Sequence, residues 1–363
     1  MIRPGIAVMG HPSMPDTPLA QMSPAVSAEI ARILTQGRAF SSAGDFRRAI
    51  DFVTEANRQI RAPELDHELM AFRANGFDSI SKEGPSSWPP RYEDPFPGWT
   101  GLPEIDAREL TVEIMGGAFQ HHGALWVHGL FPAEEAEALR SGIDKALDAR
   151  DAFRAGTQEE ETRPWYSQIP VNPHIGMARG WVEDGGAVLT ADSPRMMYDL
   201  LEAFDKHGTI EIISRYLGER PALSVGKSTL RRVFQMNHSD WHQDGAFLGR
   251  DVRTVNVWIA LSDCGEQAPG LDIVAKRLPY IVPTGSHGAS FEWSVGPGMV
   301  DELEQAGAQV VSPVFRPGDA MLFDQLMLHR TGILPNVTKM RWAIESWFFA
   351  PSTYPMDQGP LVV

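Results

Sequence analysis

A single cysteine, Cys264, stands in a chain of 363 residues. One thiol excludes an intrachain disulfide framework and suits a reducing compartment, where its ordinary role is that of a small buried residue. Apolar runs of membrane-spanning length are missing, and the opening residues lack a basic segment followed by an apolar one, so a soluble, cytoplasmic protein is expected. Positive charge is scarce: 32 Lys and Arg stand against 47 Asp and Glu, a formal net charge of −15. That balance disfavours nonspecific binding to nucleic acid or to an anionic membrane. Internal repeats are also absent. What remains is ordinary for a globular protein, with 43% hydrophobic and 22% charged residues, and the length is ample for a sizeable core.

Residues 1–22 carry Pro4, Pro12, Pro15 and Pro18 among small and polar residues and are expected to form an irregular tail. Ser23-Pro24 reads as a helix cap followed by the first helical position. Apolar spacing through Ile30, Ile33 and Leu34, then Phe46, Ile50, Val53 and Ile60, then Leu65, Leu69 and Phe72, predicts helices with core-facing stripes. Gly84–Pro103 interleaves prolines with Trp88, Tyr92, Phe96 and Trp99 and is expected to run extended, as a linker or a lid, with a strap packed on the main domain favoured because large aromatics in a bare linker would be exposed at a cost. Residues 23–107 thus read as a helical extension plus strap, and 108–363 as the main domain. That domain opens with a helix from Arg108, a strand over Ala124–Phe131 and a helix near Pro132. Ser193–Leu217 reads as helical and ends at Gly218. Strands are expected at Ser228–Met236, Thr254–Leu261, Met321–Phe323 and Arg341–Phe349.

The chemistry gathers in His242-Gln243-Asp244. If the segment is extended, residues two apart project to one side, so His242 and Asp244 can converge on one ion. His329 would supply a third donor, giving two imidazoles and one carboxylate on one face of an octahedral metal, a set suited to Fe(II). An isolated His-x-Asp is common at turns and carries little weight. Arg341 adds to it, because Gly332 and Pro335-Asn336 can reverse the chain and return a guanidinium beside the metal, where it could hold a carboxylate.

Other residues compete. His287 also follows a turn-rich segment, and His238 with Asp240 forms a second His-x-Asp, but neither has a downstream arginine in the matching place. His121, His122 and His128 have no carboxylate at ligand spacing in the sequence. Arg330 reads as a surface ion-pair residue. Trp165, Tyr166, Trp181 and Trp293 hint at an apolar or ring-bearing ligand, though cores use the same residues.

Taken together, Trp241–Asp244, Thr254–Leu261, Pro283–His287, Gly318–Asp324, His329 and Arg341, in that order, resemble the phytanoyl-CoA dioxygenase-like branch of the Fe(II)/2-oxoglutarate-dependent oxygenases. The resemblance departs at Pro283-Thr-Gly-Ser-His287, where the family commonly has Pro-Gly-Ser-His, and in the stretch Ala268–Val274; specificity is expected to differ there. It implies a mainly β fold with flanking helices, built on a double-stranded β-helix (jelly roll) of two antiparallel sheets. It also implies Fe(II), 2-oxoglutarate and O2 as cofactor and cosubstrates, His242, Asp244 and His329 as metal ligands, and Arg341 with Thr331 on the far carboxylate of 2-oxoglutarate. Asn256 and Trp258 share one face of the Thr254–Leu261 strand, and the resemblance places them near the cosubstrate. The activity implied is oxidation, by default hydroxylation, of a C–H bond of a small-molecule substrate, with release of succinate and CO2. Desaturation, epoxidation or rearrangement would use the same ligands, whereas Asp244 speaks against halogenation. A non-catalytic metal-binding jelly roll, or a scaffold built on the N-terminal helices, is the alternative.

Overall fold

The computed structural model describes residues 23–169, 179–234 and 240–363. Near the start, the Ser23 side chain accepts a hydrogen bond from the Val26 amide, and Pro24 opens α1 (Pro24–Ser42). α2 (Phe46–Ile60) is capped by Asp45, and α3 (Pro63–Asn75) again begins on proline. Their stripes, including Ile33, Val53, Leu65 and Phe72, are buried. They share one hydrophobic cluster with Ala222 and Val362 of the main sheet, so these helices cover part of that sheet. A buried ion pair fastens them: Arg195 Nε lies 2.6 Å from Asp66 Oδ2, while Asn57 donates to Asp66 Oδ1 at 2.7 Å.

The strands are β1 (Glu104–Asp106), β2 (Ala124–His128), β3 (Ala187–Leu189), β4 (Ala222–Ser224), β5 (Thr229–Val233), β6 (Thr254–Ala260), β7 (Leu271–Val274), β8 (Val310–Val311), β9 (Ala320–Phe323), β10 (His329–Thr331), β11 (Arg341–Phe349) and β12 (Pro360–Val362). Among the described residues they form a nine-stranded sheet, running β1-β2-β9-β6-β11 and continuing to β5-β3 and β4-β12, and a three-stranded sheet, β10-β7-β8. β11 is long enough to pair β6 on one side and both β5 and β4 on the other. Alternation along β6 and β11 sorts their side chains into two layers. Val255, Val257, Ile259, Ile344 and Phe348 face an outer core shared with helices α4 (Val112–His121), α5 (Ala133–Ala155), α7 (Pro194–Lys206) and α8 (Thr209–Leu217). Trp258, Ala260, Ala343 and Trp347 face inward and cluster with Leu271 and Ile273 of the smaller sheet. The two sheets therefore close on one interior, the arrangement of a double-stranded β-helix with an open rather than a closed main sheet.

Several expectations shift in detail. β1 pairs β2 in parallel, so the main sheet is mixed at that edge. The helix expected from Arg108 starts as a 3-10 turn over Ala107–Glu109 before α4, and the long helix through Ser193–Leu217 breaks at Gly208, whose φ of 69° ends α7. The strand expected to reach Met236 ends at Val233; Gln235, Met236 and His238 lie outside the described residues, as do the tail expected at 1–22 and residues 170–178. All seven β6 residues are buried, because both faces of this strand are covered.

The Pro/aromatic strap lies on the outer side. Trp88 Nε1 donates to the Tyr216 carbonyl at 3.1 Å, and Tyr92 stacks on the Tyr216 ring. Its close approach to α4 requires small residues there: a Cβ at Gly116 would collide with the Tyr92 ring, and one at Gly117 with the Glu93 carbonyl. The imidazole of His329 faces the inner layer, against Phe323 at 4.7 Å, so the strap is no lid over it.

Replacing Arg195 by Met leaves Asp66 buried without its countercharge. Urea unfolding is expected to show a loss of about 3–5 kcal/mol, largely recovered when Asp66→Leu is added.

Candidate metal centre

The centre begins with a backbone pairing. His242 N–H donates to the His329 carbonyl at 2.9 Å and His329 N–H to the His242 carbonyl at 3.0 Å, a reciprocal antiparallel bridge. Residues paired in this way stand directly opposite with side chains on the same face, and the two rings lie 4.4 Å apart between centroids. Asp244 reaches them by a different route from the one expected. It is helical (φ −61°, ψ −24°) and opens a short helical turn, α9 (Gly245–Leu248), so a turn rather than strand alternation swings its carboxylate round. One donor atom from each of His242, Asp244 and His329 falls within 4.8 Å of the others, and His329 Nε2 stands 3.7 Å from Asp244 Oδ2.

The hydrogen bonds leave suitable atoms for a metal. His242 Nδ1 faces the Asp240 carbonyl and His329 Nδ1 the Met327 carbonyl, each at 3.0 Å. A carbonyl only accepts, so Nδ1 carries the proton and Nε2 presents its lone pair. Asp244 Oδ2 is buried with no hydrogen-bond partner among the described residues. Burial, helped by His329 and opposed by Asp244, pushes the His242 pKa down to about 4, which keeps its imidazole neutral and able to ligate. Burial alone would raise the Asp244 pKa, but Lys227 and the two imidazoles outweigh it, so it is lowered and Asp244 is a carboxylate. The fit to a divalent cation is therefore good in donor type, protonation and geometry.

Arg341 lies on the inner face of β11, 1% exposed, and over the Trp258 ring at 5.7 Å. Its Nη1 donates to the carbonyls of Pro269 and Gly270, Nε has no partner, and no carboxylate pairs with it among the described residues. Burial pushes its pKa down to about 10. A guanidinium held this way lacks an anion, and an uncompensated buried charge costs on the order of several kcal/mol. Thr331 is in register with Leu271, next to the Gly270 carbonyl that Arg341 binds. Asn256 lies between Phe323 and Trp347 on the inner face, fully buried, and neither polar atom of its amide has a partner among the described residues. These groups suit a dicarboxylate.

Other sequence candidates fall elsewhere. His287 is at the surface with φ 54°, beside Ser286 and Glu302. His122 and His128 meet Asp94 and Glu104, carboxylates that only the fold brings near, while His121 meets the Tyr92 carbonyl. Arg330 does form an ion pair, but with the buried Asp272, and it lies over Trp241. Trp165 and Tyr166 pack into the outer core, whereas Trp181 and Trp293 stand exposed.

Three residues, Gln243, Gly245 and Lys227, carry no sequence signal beyond their position. Gln243 is fully buried; its amide donates to the Tyr280 and Leu326 carbonyls and accepts from the Val282 amide, tying two distant segments to the His-x-Asp turn. Gly245 has no room for a Cβ against Ile281 and the Gln325 carbonyl. Lys227 is the third, and its Nζ lies 3.2 Å from Asp244 Oδ1. A lysine with no motif around it gives no hint from sequence that a carboxylate will meet it.

Fold and site together define a jelly-roll protein with an interior suited to a divalent metal and an anionic ligand. Residues 119–341, more than half of the chain, match the family described as Phytanoyl-CoA dioxygenase (PhyH), and the chain belongs to that family. It is accordingly an Fe(II)- and 2-oxoglutarate-dependent enzyme that uses O2. No curated protein matches it. Solved structures similar to it include the 2-oxoglutarate-dependent carbocyclase SnoK of nogalamycin biosynthesis, 15% identical with a TM-score of 0.42 over 69% of this chain and 87% of that one. EctD from S. alaskensis, with 2-oxoglutarate and 5-hydroxyectoine, is 19% identical with a TM-score of 0.44 over 75% and 86% of the two chains. The epimerase SnoN, in complex with Fe3+, alpha ketoglutarate and nogalamycin RO, is 15% identical with a TM-score of 0.41 over 66% and 83%. No substrate is carried over from these proteins. No helix among the described residues is long and apolar enough to cross a membrane.

The depressed His242 pKa has a consequence for the metal-free protein. Between pH 6.5 and about 4 the unfolded chain binds a proton at His242 that the folded chain does not, so this contribution to stability is present above pH 6.5 and lost as pH falls through that window. His242→Gln should flatten the fall in melting temperature over the same range. Gln243→Leu strands one amide and two carbonyls. It is expected to cost about 1–3 kcal/mol in urea unfolding and to weaken Co(II) binding about 10–100-fold.

Proposed function

We propose that His242, Asp244 and His329 hold the Fe(II), that Arg341 and Thr331 hold the far carboxylate of 2-oxoglutarate, and that the enzyme oxidises, by hydroxylation, a C–H bond of a small organic molecule. The observation that carries this reading is Arg341: a buried guanidinium paired with no carboxylate among the described residues, on the inner face that the His329 imidazole also meets. A carboxylate arriving there would form charge-assisted bonds and remove the cost of the isolated charge. Trp258 holds the guanidinium plane from one side, and the unpartnered amide of Asn256 can bind an oxygen of the cosubstrate. Lys227 occupies Asp244 Oδ1, which leaves Oδ2 for the metal. With Fe(II) bound, O2 would be the oxidant and 2-oxoglutarate the co-reductant, one oxygen atom leaving in succinate with release of CO2 and the other passing to the substrate. The chain orients the two groups, keeps His242 neutral and surrounds them with buried aromatic residues such as Phe323 and Trp347 that exclude water. Hydroxylation is favoured over desaturation, epoxidation or rearrangement only as the simplest outcome, since those differ in how the substrate is placed. The single buried thiol suits a cytoplasmic setting.

The test is an anaerobic titration of Fe(II) and 2-oxoglutarate followed by visible metal-to-ligand charge-transfer absorption. The wild type should develop the band. His329→Ala should lose it, and Arg341→Ala and Arg341→Lys should need about tenfold or more cosubstrate to reach it. A wild type that folds and binds iron but shows no band would overturn these assignments.

A further inference from the structure

Large aromatic rings stand exposed around the imidazole of His242. Trp293 meets that ring edge-on at 5.9 Å, and Phe247 lies alongside it at 6.5 Å. Phe291 stacks on Trp293, with 5.3 Å between centroids and planes 3° apart. Trp181, from the short helix Arg179–Asp184, adds a fourth ring; Trp293, Phe247, Phe291 and Trp181 are 42%, 42%, 52% and 43% exposed. Fully burying a ring of this size is worth about 1.5–3 kcal/mol, so two open rings against the His242 imidazole, with Phe291 stacked on one and Trp181 joined to the other through Lys227, mark a surface shaped for a ligand rather than for the core.

The floor of this rim is cationic. Lys227 Nζ lies 3.9 Å from the Phe247 centroid and 5.5 Å from that of Trp181, and the Arg231 guanidinium lies 5.7 Å from Trp181. Each cation already has a carboxylate, Lys227 at Asp244 and Arg231 at Glu345. An ammonium has three donors, however, and Asp244 Oδ1 takes one, so Lys227 can accept a further anion without giving up its partner. Cations held against aromatic faces are also partly desolvated, which strengthens their attraction for an arriving carboxylate.

We propose that this rim is the substrate subsite of the enzyme, and that it takes a planar, ring-bearing molecule carrying a carboxylate. The ring system lies against the Trp293–Phe247 wall beside His242, and the carboxylate is directed to Lys227 and Arg231. The assignment rests on the reading of His242 as a metal ligand for its catalytic meaning, but the binding itself is measured separately.

The probe is 2-naphthoate, titrated calorimetrically under anaerobic conditions into protein loaded with Fe(II) and 2-oxoglutarate, with the charge-transfer band followed in parallel. 2-Naphthalenemethanol serves as the uncharged counterpart and acetate as the ringless one. The expected result is binding of 2-naphthoate at least about tenfold tighter than either counterpart, with the band retained. Trp293→Ala and Arg231→Gln should each weaken it about tenfold or more, while Trp293→Phe, which keeps a ring in place and controls for folding, should keep most of the affinity. Equal affinity for the two naphthalenes, unchanged affinity in Trp293→Ala, no binding by the wild type, or displacement of the cosubstrate by naphthoate would each overturn the subsite. Tight, Trp293-dependent binding of naphthoate in a protein that never forms the band would support the subsite while overturning the cosubstrate assignment.

Discussion

Two backbone hydrogen bonds between His242 and His329 fix the relation on which the rest of the site depends. They join segments far apart in the chain and set both imidazoles on one face, with no freedom left in register. Each ring is then oriented by a carbonyl two residues before it in the chain, Asp240 for His242 and Met327 for His329. Gln243, between the two site residues His242 and Asp244, anchors the turn to three backbone groups. The loop cannot drift without breaking bonds that are buried and therefore costly to leave unmade.

Charge is buried in two contrasting ways. Asp66 meets Arg195 and Asn57 in a closed set of partners that docks the N-terminal helices. Arg341, Asp244 Oδ2 and the Asn256 amide are as deeply buried and lack such partners. The first arrangement is what structure needs; the second is costly to the folded protein unless a metal and an anion complete it. Buried hydroxyls without a partner also occur elsewhere, at Thr54 and Thr209 for example, but at this site the unpartnered atoms belong to a carboxylate and a guanidinium, whose desolvation costs far more.

Aromatic residues divide in the same manner. Trp88 and Tyr92 in the strap are spent on packing against Tyr216, with glycines on α4 making room. Trp293, Phe247 and Trp181 remain open beside His242 and over Lys227. Composition alone treats these two groups alike.

Much was legible from the residues in order. Helical spacing and the Ser23-Pro24 cap placed α1 to α3, and alternation with β-branched residues placed β6 and β11, because these signals depend on neighbours within a few positions. The spaced set His242, Asp244, His329 and Arg341 stood out because ligand chemistry restricts residue type, and the fold brings donor atoms of the first three together. Other features depended on contacts between distant segments, which no local pattern encodes. The route by which Asp244 reaches the histidines was one, since the helical turn after it is held by Gln325. The burial of both faces of β6, the packing of the strap on the outer layer and the separation of Trp181 and Trp293 from Trp165 and Tyr166 were others. The sequence by itself determined which groups were available and which local shapes they preferred. Only the tertiary structure decided which of them share an interior, because burial and partnership are properties of the closed sheets and not of the chain.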